Sequence, residues 1–356
     1  MTTSTSSPAE QVKSDIRSLK SSLNNLESTV RMSDIRDHVE DLQTSVNGMD
    51  RRIKSLREHG YAFEKDLEEK ATDFVEEWQS IAPNIKRQVE KEAGTLENSL
   101  RPLEREITRL AGNTASPARL RPTADKLKSR VETLEGRVES AERSIRGGYD
   151  QFSGEVQKVE SHLSQLEQML EKFDESTFDL LATEASIMAV KAVWAKNGKE
   201  RKDDPEGILY LTDQRLLFEQ KEEIATKKVL FVTTEKKLVQ ELRWEAPVAL
   251  IKEIKATNEG FMNKDDFIKV KFSGDAPFDS VYLHIWQSGD DWKALLKRAK
   301  TKEFDATRAI KIDATVAEKV KDAPTQCPSC SGTITQKILR GMDSITCEYC
   351  GTVIRL

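Results

Sequence analysis

The apolar residues of the first half of the chain fall on three successive seams, and that repeat limits this half to long helices. From Val12 the first seam runs through Ile16, Leu19, Leu23, Leu26 and Val30, then Ile35, Val39, Leu42, Val46, Met49, Ile53 and Leu56. Steps alternating between three and four keep these side chains on one narrow face, the a/d seam of helices that pack side by side. The longer step from Val30 to Ile35 breaks the phase near Met32-Ser33-Asp34, so either one helix kinks there, the favoured reading, or Ser33/Asp34 caps a new one. His59-Gly60 ends it, because glycine just past a periodic stretch releases the chain from helical geometry.

A second seam runs from Phe63 through Leu67, Ala71, Phe74, Trp78, Ile81, Ile85, Val89, Ala93, Leu96, Leu100, Leu103 and Ile107 to Leu110. Pro83 and Pro102 lie inside it, each lacking a backbone donor, so local bends are expected. Residues 111–122, rich in Gly, Asn, Ser and Pro, read as a loop. The third seam runs from Leu127 to Phe173, with a stutter around Ile145 next to Gly147-Gly148. Each segment is about 50 residues, roughly 75 Å at the helical rise. Equal lengths and short connections favour an antiparallel three-helix coiled coil within one chain over residues 9–175, behind a disordered tail at 1–8. Self-association of the same seams between chains gives an identical pattern.

Four cysteines occur, all in the last 30 residues, as Cys327-Pro-Ser-Cys330 and Cys347-Glu-Tyr-Cys350. Each C-x-x-C presents two thiolates from a tight turn, and two such turns complete the closed tetrahedral sulfur shell that zinc favours in structural sites. One structural zinc ion on Cys327, Cys330, Cys347 and Cys350 is expected, with no open position for substrate. Gly332 and Gly351 follow the pairs closely, where the backbone curls toward sulfur. Residues 326–356 resemble a zinc ribbon, in which Thr333–Leu339 and Ser344–Thr346 pair around an Arg340–Asp343 turn and Thr352–Leu356 adds a third strand.

Between these regions the composition changes, and four of the five tryptophans, Trp194, Trp244, Trp286 and Trp292, fall between 178 and 300. Strand-length apolar runs are expected at 187–194, 207–212, 215–219, 229–233, 238–244, 248–256, 267–272 and 281–286, followed by a helix over 289–301 that Ser288 caps. The stretch Gly207-Ile-Leu-Tyr-Leu-Thr-Asp-Gln-Arg215-Leu-Leu-Phe218, with Trp292 in the closing helix, resembles a pleckstrin-homology-like domain of the GRAM subtype. The resemblance covers 178–303. It implies a partly open seven-stranded β-barrel capped by its C-terminal helix, binding phosphoinositide headgroups or protein and peptide partners. The loop after the first strand offers Lys196, Lys199, Arg201 and Lys202 as possible anion contacts, and Lys221, Lys227 and Lys228 lie nearby in sequence. That loop also holds Glu200, Asp203, Asp204 and Glu206, so its net field is near zero. Residues 304–325 read as a linker, with a short helical turn at 316–320.

The whole is a multidomain α+β chain of 356 residues with 33% charged and 6% aromatic residues and a net charge of −5. That balance argues against a surface that generally coats nucleic acid. The longest apolar run, Ala185–Ala195, is far short of the ~20 residues a membrane span needs. No phosphate-cradling glycine loop is present, and His38, His59, His162 and His284 stand apart from any cysteine or second histidine. The expectation is a non-enzymatic cytoplasmic scaffold or adaptor that engages protein partners. Transcription-associated nucleic-acid binding through the ribbon, using Lys337, Arg340 and Arg355, and membrane recruitment through the barrel are the less favoured readings.

Overall fold

The computed structural model describes residues 7–229, 232–259, 265–274 and 276–356, without the side chains of residues 8, 224–229 and 232–236. Most of the expected tail, the strand run at 229–233 in part, and the side chains of Lys227 and Lys228 lie outside the described residues. The chain divides into two compact units, one holding residues up to Asp50 with Glu69–Ser161, the other Arg51–Glu68 with His162–Leu356.

The first unit is helical. Ser7 caps α1 (Pro8–Thr29) through a reciprocal pair of bonds with Glu10, so the expected tail gives way to helix one residue early. A break at Val30–Met32, where Met32 takes a φ of 53°, leads into α2 (Ser33–Glu58), which begins at the predicted phase slip. Helix α3 (Leu67–Ala111) runs unbroken through both prolines. Pro83 faces solvent, and buried Trp78, Ala82, Ile85 and Val89 hold the helix on both sides of it. Ala82, rather than the expected Ile81, takes the buried position. The expected loop at 111–122 shrinks, because α4 (Pro117–Arg146) starts at a proline whose fixed φ suits the first helical position. Gly147-Gly148 separates it from α5 (Asp150–Asp174), as the stutter anticipates.

Within this unit Glu106 meets Arg130 at 2.6 Å, Arg137 donates to Ser99 and Gln88 to Ser144, which sets α3 antiparallel to α4. Trp78 stacks on Phe152 at 5.6 Å. Helix α1 packs along α4 in the same direction, Gln11 and Asp15 sharing a groove with Arg121 and Lys128. Most of the seam residues are thus buried within one chain.

The second unit is built on a seven-stranded antiparallel sheet: β1 (Ser186–Trp194), β2 (Glu206–Thr212), β3 (Arg215–Val229), β4 (Val232–Pro247), β5 (Ile251–Glu259), β6 (Asp265–Phe272) and β7 (Ser280–Ile285). The order is β4-β3-β2-β1-β7-β6-β5, and among the described residues no ladder joins β4 to β5. The sheet is therefore open, not a closed barrel. Eight expected runs become seven strands because β3 and β4 form one long hairpin, Lys221 pairing with Gln240 and Glu223 with Leu238. Its polar sequence hid it, since a ribbon that outruns its neighbours needs no alternating buried face. Gly207 lets β2 approach β3, for a Cβ there would sit 1.9 Å from the Glu219 carbonyl oxygen. Trp194, Phe218, Trp244 and Phe278 form an aromatic cluster, and α6 (Gly289–Lys300) lies against β5 and β6 with Trp292 fully buried. The arrangement is compatible with a pleckstrin-homology-like domain.

Part of the expected linker is packed. Phe304 is buried against Phe63, and Ala62 accepts from the amides of Ala309 and Ile310 at 2.8 and 3.2 Å. Arg57 fixes the 59–66 turn by donating to the carbonyls of Tyr61, Phe63 and Glu64 and to Glu68. Helix α7 (Ala314–Asp322), capped by Asp313, is longer than the expected turn.

Candidate metal centre

The C-terminal residues fold around their cysteines. In each C-x-x-C the amide one residue past the second cysteine returns to the first cysteine's carbonyl: Ser331 to Cys327 at 2.8 Å and Gly351 to Cys347 at 2.9 Å. The first cysteine's own amide is also held, Cys327 by Gly332 and Cys347 by Thr352. Ser331 and Gly351 take the positive φ values, 58° and 71°, that the two turns require. Gly332 is needed for space instead, since a Cβ there would come within 2.5 Å of the Tyr349 ring.

The four Sγ atoms lie within 4.8 Å of one another, with Cys327–Cys350 and Cys330–Cys347 both at 3.6 Å. Tetrahedral ligands about 2.3 Å from a central ion would stand a little under 4 Å apart, so the donor set fits a metal ion. The thiols also oppose one another. The Thr352 hydroxyl, its amide and then Cys330 hold Cys350 down to about 6, and the Cys330 amide lowers Cys327. At Cys330 the Gly332 amide also favours the thiolate, but Cys350, burial and the other two sulfurs outweigh it and push the group up to about 12. Four crowded thiolates repel unless a cation lies among them.

The expected three-stranded pairing is not what forms. The one two-stranded ladder is β8 (Ser344–Thr346) with β9 (Val353–Arg355), around a core of Cys327, Ile345, Cys347 and Ile354. The segment expected as the first strand divides: Thr333 bridges Gln326 and Ile334 donates to the Thr325 carbonyl within the module, while its far end turns to the sheet domain. Ala182 donates to the Ile338 carbonyl at 3.0 Å, Arg340 to that of Leu180 at 2.9 Å, and Leu181 bridges Leu339. A strand edge offers each bond once, so docking here replaces pairing in the ribbon.

This contact meets a buried polar clamp that the sequence did not single out. Arg215, 6% exposed in its side chain, grips Glu184, fully buried, through Nε at 2.9 Å and a second nitrogen at 2.5 Å. It also donates to the Asp179 carbonyl at 2.9 Å and pairs with Glu245. Thr212 and the Leu181 amide donate to Glu184, so that carboxylate is saturated. Lys337 pairs with the other oxygen of Glu245, and Arg340 donates to the Glu184 carbonyl at 2.6 Å. Burial, and then the charge of Arg215, pull the Lys337 ammonium below its ordinary value. Asp213 accepts from the Ala185 amide at 2.8 Å and pairs with Arg308, yet burial prevails and raises its carboxyl. The Thr212–Arg215 corner thus ties four segments together. The only sequence signal was the Thr-Asp-Gln-Arg turn itself.

Lys196, Lys199, Arg201 and Lys202 are all exposed on the β1–β2 loop. Lys196 lies 5.4 Å over the Trp194 ring, and Asp204 accepts the Arg201 amide at 2.8 Å. His284 is bonded to Glu200 at 2.7 Å, His162 to Glu64 at 2.7 Å, and His38 lies 3.3 Å from the Tyr149 hydroxyl.

No protein-family model and no curated protein matches the chain. Among solved structures, the chain is similar to the C-terminal domain of an unknown protein from Leishmania infantum, with 17% identity over 33% of this chain and 84% of that one, at a TM-score of 0.20. A DUF1696-family protein with a pleckstrin-homology domain from Shewanella loihica matches with 14% identity over 34% and 79%, at 0.18. The DH/PH domains of PDZ-RhoGEF, in complex with activated RhoA, match with 12% identity over 84% and 96%, at 0.26. Superpositions this loose carry no functional argument. No helix among the described residues is long and apolar enough to cross a membrane.

Proposed function

We propose that this protein is a non-enzymatic cytoplasmic adaptor in which a coiled-coil bundle, a GRAM-like protein-binding module and a zinc ribbon act together. The observation that carries this reading is the fixed docking of the cysteine module onto the sheet domain through Arg215, Glu184, Glu245, Lys337 and Arg340. A closed sulfur site with saturated neighbours suits a structural ion, and zinc is the metal whose chemistry matches four thiolates in that geometry. The ribbon then serves as a docking element rather than a reactive one.

The partner expected is a peptide or protein segment in extended form. Strands β4 and β5 end the sheet with edges that no other strand covers among the described residues, and β5 lies beside α6. Strand addition there would combine main-chain bonds with an apolar neighbour. The β1–β2 loop does not favour a phosphoinositide headgroup, because its cations are exposed and interleaved with anions. Nucleic-acid binding through the ribbon is weakened as well, since two of its three cations, Lys337 and Arg340, are engaged by the sheet domain.

The test is selection of displayed peptides on the full chain, followed by amide exchange. Protection confined to β5 and α6 is the expected result. Tight binding to phosphoinositide vesicles, lost in the K199A/R201A/K202A variant, would replace this reading with headgroup recognition.

A further inference from the structure

The full chain is acidic, but its charge is not spread evenly. Between Ser99 and Arg130 stand eight Arg/Lys against three Glu/Asp, a net of +5 in a chain whose total is −5. The fold concentrates these charges further. Arg101, Arg105 and Arg109 lie on the last turns of α3, and Arg119, Arg121, Lys126 and Lys128 on the first turns of α4. The two stretches run alongside each other, since Glu106 meets Arg130 and Ser99 meets Arg137. The start of α1 shares a groove with Arg121 and Lys128 that Asp15, Asp125, Glu132 and Glu135 also line, so it joins the same end of the bundle and adds Lys13, Arg17 and Lys20 against Glu10 and Asp15.

The seven cations of α3 and α4 are exposed, and none has a carboxylate within ion-pair distance among the described residues. Glu106, whose carboxyl is held low by Arg130 first and by Lys126 and Arg109 more weakly, is the main local counter-charge. Some cations elsewhere are matched, among them Arg52 by Glu167, Arg57 by Glu68, Arg215 by Glu184 and Arg308 by Asp213. A basic end left unmatched in an acidic protein is a field directed at an anionic partner.

We infer that the α3–α4 end of the helical bundle is a docking surface for an anionic phospholipid bilayer. Five of the seven cations are arginines, whose planar forks bind phosphate oxygens in pairs. The segment between Ser99 and Arg130 contains no aromatic residue and no histidine, so it has no platform for stacking bases. The cations surround a short turn, Gly112–Ser116, where helix ends meet rather than forming a groove that could follow a nucleic-acid strand. A planar surface set against this end meets the cations nearest the turn, Arg109, Arg119 and Arg121. A cluster of this size matches what basic segments need for attachment to anionic leaflets, each unneutralised cation adding about fivefold in partitioning.

The experiment is sedimentation of the full chain with phosphatidylcholine vesicles that contain or lack phosphatidylserine, across a salt series. Binding only to the anionic vesicles, weakening steeply as salt rises, is expected. The R109Q/R119Q/R121Q variant should bind about 100-fold more weakly, the product of three such factors. The R109K/R119K/R121K variant should retain most binding, and the K199A/R201A/K202A variant should behave as the unaltered chain. No anionic-vesicle binding at low salt, or binding that the glutamine variant keeps, overturns the proposal. So does an oligonucleotide that binds this end more tightly and displaces it from vesicles, which would make nucleic acid the partner.

Discussion

The helical seams and the Thr212–Arg215 corner hold their surroundings together in opposite ways. Along α1 to α5 the contacts are apolar, similar to one another and repeated over many turns, so the stabilisation is spread among residues such as Leu96, Leu134 and Leu163. At the corner one buried arginine and one buried glutamate organise the strand ends, the segment before β1 and the cysteine module. Distributed apolar packing tolerates a single loss, because neighbours still exclude water. A buried ion pair does not, because removing one member strands the other charge. Much of the protein's ionic content matters little by this standard. The β1–β2 loop holds as many charges as the clamp, but they face solvent.

The largest effect should come from the metal centre, the one place where the C-terminal module lacks either kind of support. Cys330→Ser removes one donor from a core of a few side chains, and a core that small does not fold without its ion. Amide exchange should show residues 326–356 opening while β2 and β3 stay protected, and elemental analysis of the unaltered chain should find one zinc. Metal-free protein purified under reducing conditions that is equally protected would show that the clamp, and not the ion, holds the module.

Next in size is Arg215→Ala, which leaves Glu184 buried without its partner and should cost about 3–5 kcal/mol in denaturant unfolding of the sheet unit. The R215M/E184Q double variant should recover much of that loss, since it buries no lone charge. A double variant no better than Arg215→Ala would mean that shape, rather than charge pairing, dominates at this corner.

The smallest is Leu134→Ala in the bundle, 3% exposed in the structure. It should cost about 2–4 kcal/mol, towards the lower end if neighbouring seam residues relax into the gap, and leave the sheet unit unaffected. A loss exceeding that of Arg215→Ala would reverse the comparison. Light scattering on the full chain is expected to show a monomer, as the buried seams are filled from within.

The sequence by itself determined what depends on local spacing. Alternating steps of three and four named the seam residues, the phase slip at Met32 and the stutter at Gly147-Gly148, because a helix maps sequence interval directly onto a face. The two C-x-x-C turns named the four sulfur donors for the same reason, and the strand runs of the middle domain were legible wherever apolar residues recurred along the strand. Only the tertiary structure decided the rest. Ala82 displaced Ile81 because the partner helices set which flank of α3 is covered. The β3–β4 hairpin outran its apolar pattern, and residues 338–340 left the expected ribbon for the sheet domain. Arg215 stands in the sequence only as part of a Thr-Asp-Gln-Arg turn, and its role follows when Glu184, 31 residues away, and Lys337, 122 residues away, are brought to the same corner. Side-chain intervals within one element are fixed by backbone geometry, but the choice among competing partners for a charge or a strand edge depends on which distant segments the fold brings within reach.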